Sequence, residues 1–231
     1  IREYGGEEDD FRIRETQTDE LIEDVAKLRS EVGVLYLNRF NETVIRKTLR
    51  EHDLKFTRLF MAKPHVFIGA ANPLASRSSI TLSDLEPYPR LSYEQGEHNS
   101  FYFSEEILST LDSRKDILVS DRATLFNLLI GLNGYTICSG VINEELNGPN
   151  IVAIPLDVDD YMEIGYITHN RVTPGRFAGL YIKALKRRVG VPVSKVSTRE
   201  QLLFNNVFLD NFDKKIAIFS FNYYLSLIHI S

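Results

Sequence analysis

The sequence predicts an α/β protein of two lobes joined by a hinge, and three observations predict it. A strand–helix–strand rhythm runs over residues 11–37 and again over residues 116–140, each the pattern of a βαβ unit with a right-handed crossover and parallel strands. Between the two, Pro87-Tyr88-Pro89 interrupts the pattern and marks a passage from one lobe to the other. Polar loops follow the strands, the arrangement of a hinged small-molecule binder. At 231 residues, 43% hydrophobic and 26% charged, the chain can bury the core that such a unit needs.

The chain opens on Ile1-Arg2-Glu3-Tyr4-Gly5-Gly6, which reads as the last turn of a helix closing on a C′ glycine, so the true start is expected upstream. The acidic run at residues 7–10 suits a solvated turn, because its neighbours supply no further metal ligands. Phe11-Arg12-Ile13-Arg14 alternates as a strand. Thr18 sits where an N-cap belongs, Asp19 and Glu20 fill the first helical turn, and Leu21, Ile22, Val25 and Leu28 are spaced for a buried stripe. Val32-Gly33-Val34-Leu35-Tyr36-Leu37 is an apolar run of strand length and closes the first unit. Residues 41–50 predict a polar-faced helix, residues 56–60 and 65–68 predict strands, and Asn72-Pro73-Leu74-Ala75 breaks the pattern.

Residues 91–104 hold the candidate ligand site. An extended apolar entry after Pro89 runs into a loop centred on Gly96, and Asn99-Ser100 is expected to cap a helix whose Phe101, Ile107, Leu108 and Leu111 form one face. A strand–loop–helix join aims unpaired backbone N–H groups and the positive end of a helix dipole at a ligand, which favours an anionic group. The same residues equally suit a plain turn and cap. Glu105 and Glu106 are read as favourable charges in that helix's first turn, not as a paired acid and base.

In the second unit Asp116-Ile117-Leu118-Val119 is a strand, Ser120-Asp121 a cap and first turn, and Leu125, Phe126, Leu129 and Leu132 the buried side of a helix. Asn133-Gly134 ends it, and residues 135–140 return as a strand. Further strands are expected at residues 151–156 and 162–168. Pro174 opens a last helix with Phe177, Leu180, Tyr181, Ala184 and Leu185 at helical spacing. Lys183, Lys186, Arg187 and Arg188 complement the negative end of that helix. Residues 189–224 show no clear supersecondary rhythm. Residues 225–231 resemble the in-frame translation of a transposon-derived sequencing adapter and are left out of the fold.

A net charge of -5 argues against nonspecific grip on nucleic acid, which draws its affinity from Lys and Arg on phosphates. The single Cys138 excludes an internal disulfide framework and suits a reducing compartment. The five histidines are scattered, with no pair at metal-ligand spacing. Gly131 and Gly134 lack the Lys-Ser/Thr of a phosphate-binding loop, and Ser92, Ser100 and Ser139 lack a nucleophile elbow. No catalytic group, metal site or cofactor is expected.

Residues 11–18 (FRIRETQT), 32–36 (VGVLY), 64–67 (PHVF), 72–75 (NPLA), 88–93 (YPRLSY) and 128–135 (LLIGLNGY) follow one another in an order and at intervals that together resemble the effector-binding domain of LysR-type transcriptional regulators. The resemblance covers residues 1–188. It implies two Rossmann-like lobes similar to type 2 periplasmic binding proteins: residues 1–88 as an incomplete first lobe, 89–162 as the second, 163–188 returning to the first, and 189–231 as a tail outside the domain. The family's first strand and most of its first helix have no counterpart here, so an unpaired gap is expected in the first sheet. By position Tyr36 corresponds to a first-lobe effector contact, Gln95, Gly96, His98, Asn99 and Ser100 to the closing loop of the second lobe, and Thr16 to the same mouth. Each is equally compatible with an ordinary loop or cap role.

The implied function is to sense a small anionic or zwitterionic metabolite, with Glu94 available to an ammonium if the effector is an amino acid. DNA would be read through an amino-terminal winged helix-turn-helix missing from this sequence. A cytoplasmic homodimer or homotetramer with no membrane partner is expected. A transporter's solute-binding protein of the same fold is the alternative, and the upstream sequence separates the two.

Overall fold

The structure, a computed structural model, describes residues 11–94, 100–142, 149–189 and 217–221. Strand β1 (Phe11–Glu15) turns directly into helix α1 (Thr18–Ala26). Leu21, Ile22 and Val25 are fully buried on one face of α1, as their spacing requires. Leu28 leaves that stripe: it lies beyond the helix at φ 56° and is exposed. Gln17, not Thr18, is the N-cap, and it caps without a side-chain bond. Strand β2 (Val32–Leu37) is buried throughout, as a strand covered on both faces should be. Helix α2 (Glu42–Glu51) buries Ile45 and Leu49 and is followed by β3 (Leu54–Ala62) and β4 (His65–Gly69).

Asn72 accepts from the Leu74 amide at 2.9 Å and starts a short 3-10 turn, Pro73–Ser76. A reciprocal Thr81/Asp84 capping box then sets α3 (Leu82–Leu85) ahead of β5 (Arg90–Tyr93). After β6 (Asp116–Val119), Asp121 accepts from the Thr124 amide at 2.9 Å and opens α4 (Arg122–Gly131). Asn133 at φ 51° takes the left-handed turn that leads into β7 (Tyr135–Cys138). Leu125 and Leu129 are the buried residues of α4, Phe126 packs edge-on to Phe67, and Leu132 is exposed rather than inside. The remaining elements are β8 (Ile151–Pro155), β9 (Met162–His169), α5 (Arg176–Arg188) and β10 (Ala217–Phe221). Helix α5 starts two residues after Pro174, behind an N-capping Gly175, and buries Ala178, Tyr181 and Leu185; Ala184 faces out.

The strands form two sheets of the same design. The first has the order β1-β10-β2-β9-β3 and the second β6-β5-β7-β4-β8. In each, the first three strands are parallel and the last two add antiparallel. The chain enters the second sheet already at β4, earlier than the expected passage at Pro89, and re-enters the first at β9. β1 and β2 are parallel, as a βαβ unit requires, but do not touch. β10 lies between them, Phe219 standing opposite Ile13 on one side and Val32 on the other. The gap expected in the first sheet is therefore filled, by residues of the tail.

The largest apolar cluster draws on both sheets, joining Val34, Tyr36 and Ile164 to Val66, Ile137 and Ile154. A second lies under α1 and α2, and a third under α4. Among the buried polar groups of this frame, Asp24 on α1 is 0% exposed and bonds both Arg14 and Arg29, the latter at 2.8 Å. It ties β1 to the end of α1. Asp24→Ala removes the buried partner of both guanidinium groups, leaving Arg14 with Glu20 and Arg29 with Glu23, and is expected to cost about 2 kcal/mol in urea unfolding.

Candidate functional site

The carboxyl ends of the parallel strands in one sheet meet those of the other. Past β1, Gln17 donates through Nε2 to the carbonyl of Glu94, just past β5, at 3.1 Å. Glu15, the last residue of β1, pairs with Arg122 at the start of α4 at 3.8 Å. Near the end of β2, the Tyr36 hydroxyl donates to the Ser104 carbonyl at 3.1 Å. Phe40 beyond β2 stacks on Tyr102 with centroids 4.7 Å apart. All four contacts cross from the first sheet's elements to the second's. They mark a single seam at the strand ends, where open α/β sheets bind their ligands.

The helix expected over residues 101–111 is not formed. A 3-10 turn, Phe101–Phe103, takes its place, with Ser100 as an N-cap that makes no side-chain bond. Phe101 and Leu111 are exposed, and only Ile107 of the expected face is fully buried. Leu108 adopts φ 62°, which no right-handed helix accommodates. Ser104, Glu105 and Glu106 are consequently not first-turn residues. They are drawn inward to the seam.

Glu106 accepts from the Tyr93 amide at 2.7 Å and from the Ser104 hydroxyl at 3.1 Å. Burial nevertheless dominates and pushes its carboxyl up to about 7, with Arg90 acting weakly in the other direction. Glu105 is 0% exposed, and neither of its oxygens has a hydrogen-bond partner among the described residues. Burial first, then the charges of Glu106 and Glu15, hold its carboxyl well above the usual carboxylate range. Glu15 itself is raised by burial, partly offset by Arg122. Tyr36 is likewise raised by burial and by the Glu106 and Glu105 charges. The seam is acidic, and burial at Tyr36, Glu105 and Glu106 favours the protonated form of each.

Of the residues singled out in the sequence, Tyr36 lies at this seam, and Ser100 caps the 3-10 turn whose Tyr102 stacks on Phe40 there. Thr16 lies beside the seam, buried, with its hydroxyl donating to Glu20 on α1. Gln95, Gly96, His98 and Asn99 fall outside the described residues. Glu15, Gln17, Ser104, Glu105, Glu106 and Arg122 were missed as site residues. One signal could have found three of them: a serine and two carboxylates interrupt an apolar run between Phe103 and Ile107. Cys138 is fully buried and burial pushes its thiol far above the normal range, so it is no nucleophile. Among the described residues, no group of three or more His, Cys, Asp or Glu could hold a metal ion, and no helix is long and apolar enough to cross a membrane.

Comparison with known proteins decides the family. The LysR substrate binding domain matches residues 10–189. The chain belongs to that family. It is the effector-binding domain of a LysR-type transcriptional regulator, with the type 2 periplasmic-binding-protein-like fold of the family. Among solved structures, the LysR-type domain resembles the PA01 protein, a putative LysR family regulator from Pseudomonas aeruginosa, at 16% identity and a TM-score of 0.52, over 78% of this chain and 60% of that one. It is also similar to the effector binding domain of QuiR in complex with shikimate, at 18% identity and a TM-score of 0.51 over 76% and 78% of the two chains. Full-length CbnR complexed with its target DNA shares 13% identity and a TM-score of 0.53 over 75% and 58%. These likenesses are of fold alone. This LysR-type chain spans 60% of the PA01 protein. No protein with a curated description matches it.

Proposed function

We propose that this LysR-type domain binds a small anionic or zwitterionic metabolite at the seam between its lobes. Binding biases the arrangement of subunits of a regulator that contacts DNA through winged helix-turn-helix domains. The observation that carries this reading is the Tyr36 hydroxyl on the Ser104 carbonyl, an interlobe bond at the strand ends where this fold holds ligands. A ligand that exchanges bonds with either partner changes the contact between lobes, and only such a differential contact can shift a conformational equilibrium. Thr16, Tyr36 and Ser100 stand as contacts, and Gln95, Gly96, His98 and Asn99 remain candidates for the same site on sequence grounds. The assembly is a homodimer or homotetramer working in the cytoplasm, and the protein performs no chemistry on its effector.

The test is the effector response of the complete regulator, read as the ligand concentration that half-maximally alters operator binding. Tyr36→Phe and Ser100→Ala are each expected to raise it about tenfold, the cost of one hydrogen bond. Unchanged responses in both variants would move the site elsewhere.

A further inference from the structure

We propose that Glu105, buried at the seam without a hydrogen-bond partner among the described residues, is the seat of an organic cation, a primary ammonium or guanidinium group carried by the ligand that binds between the lobes. The proposal rests on the effector reading above and narrows it, because a purely anionic ligand would not suit this position.

Glu105 is completely buried, yet both carboxyl oxygens lack a hydrogen-bond partner among the described residues. Buried carboxyls are ordinarily paired or bonded, so an orphan of this kind calls for a partner that the free chain does not supply. Its neighbour Glu106 shows the contrast, with an amide and a hydroxyl both donating to it. The charges that bear on Glu105 are two more carboxyls, Glu106 beside it and Glu15 from the first lobe. Tyr36 lies next to the pair. The nearby guanidinium groups have carboxylates of their own, Arg122 pairing with Glu15 and Arg90 with Asp116. A metal ion is a poor occupant, because no three ligating side chains among the described residues converge. A small organic cation needs only one or two carboxylates in a dry site, and there each charge-assisted hydrogen bond is strong.

In the free chain, burial and the neighbouring Glu106 and Glu15 carboxyls favour the protonated form of Glu105. Seating an ammonium displaces that proton to solvent, so charge balances and binding at neutral pH releases a proton. This gives a readout that a merely structural glutamate would not show.

The test uses the whole chain and four probes: putrescine and agmatine as cations, L-ornithine as a zwitterion with an extra ammonium, and glutarate as a dianion. Thermal unfolding measures saturable stabilisation, and titration calorimetry in two buffers of different ionisation enthalpy counts protons. At least one amine is expected to stabilise the chain saturably with release of about one proton. Glu105→Gln should weaken that amine at least about tenfold and abolish the proton release, while unfolding no earlier than the parent when ligand-free. Glu15→Gln should weaken it less, because Glu15 already has Arg122. Equal amine affinity in Glu105→Gln, or no saturable amine binding at all, overturns the proposal. If glutarate then binds and Tyr36→Phe weakens it, the interlobe effector reading survives without the cation seat. If amines bind through Glu105 but Tyr36→Phe leaves both their affinity and the chain's small-angle scattering dimensions unchanged, the seat stands and the reading in which binding changes the contact between lobes falls.

Discussion

The thermal midpoint of this domain is expected to fall as pH rises from 5 to 7, the reverse of what most acidic proteins show in that range. The cause is Glu106. Its carboxyl is raised to about 7 in the folded chain against an ordinary 4.5, so between those values the folded state holds a proton that the unfolded state has released. Stability contributed by that proton is fully present below 4.5 and is lost as pH climbs to 7. A difference of this size amounts to about 3 kcal/mol, or roughly 6–12 °C in midpoint for a chain of this length. Glu105 shifts in the same direction and steepens the slope. Below about pH 4.5 the trend turns over, because Glu20, whose carboxyl is held down chiefly by the Thr16 hydroxyl, becomes protonated and stops contributing. Glu106→Gln keeps an oxygen for the Tyr93 amide and removes its own titration, so its midpoint should fall clearly less between pH 5 and 7 than the parent's, retaining only the slope due to Glu105 and Glu15. A flat profile for the parent chain, or an unchanged slope in Glu106→Gln, would refute this account of the acidic seam.

The second large effect concerns β10. Among the described residues β1 pairs with β10 alone, its register running from Phe11 opposite Ala217 to Glu15 opposite Phe221. Removing residues 190–231 leaves β1 without a ladder and turns β2 into an edge paired only with β9. Such a chain is expected to lose cooperative unfolding, or to unfold at least about 10 °C lower, well over 2 kcal/mol for a domain of this size. Phe219→Pro is the finer test: it removes an amide from a strand paired on both sides and costs about 3 kcal/mol or more. Circular dichroism melts of the three chains decide it. If all three melt alike, β10 is dispensable to the sheet.

How far the sequence reached depended on how local each signal was. The unit over residues 11–37 was legible because alternation, acidic first-turn residues and an apolar run lie within three dozen positions. The β10 insertion was not, because parallel pairing across some two hundred residues leaves no periodic trace. Its Ala-Ile-Phe-Ser-Phe is merely an apolar run of strand length in a tail without rhythm. The site was half legible. Tyr36 could be placed from its strand, and the extended run after Pro89 is strand β5, Arg90–Tyr93. The helix beyond failed because apolar spacing alone suggested it. Tertiary contacts won: the Ser104 carbonyl is engaged by Tyr36, the Glu106 carboxylate by Tyr93, and Leu108 turns left-handed. Buried carboxyls carry no sequence period, so Glu105 and Glu106 read as solvated charge until their surroundings were seen.

The most direct test of the central claim, that the seam between the two sheets senses a metabolite, is a co-crystal structure of this chain with the strongest ligand from a metabolite screen. The account predicts the ligand between Tyr36 and residues 104–106, with the Tyr36–Ser104 bond exchanged or reshaped around it. A ligand seated on an outer helix face, with that bond at its present 3.1 Å and the lobes unmoved, would contradict it.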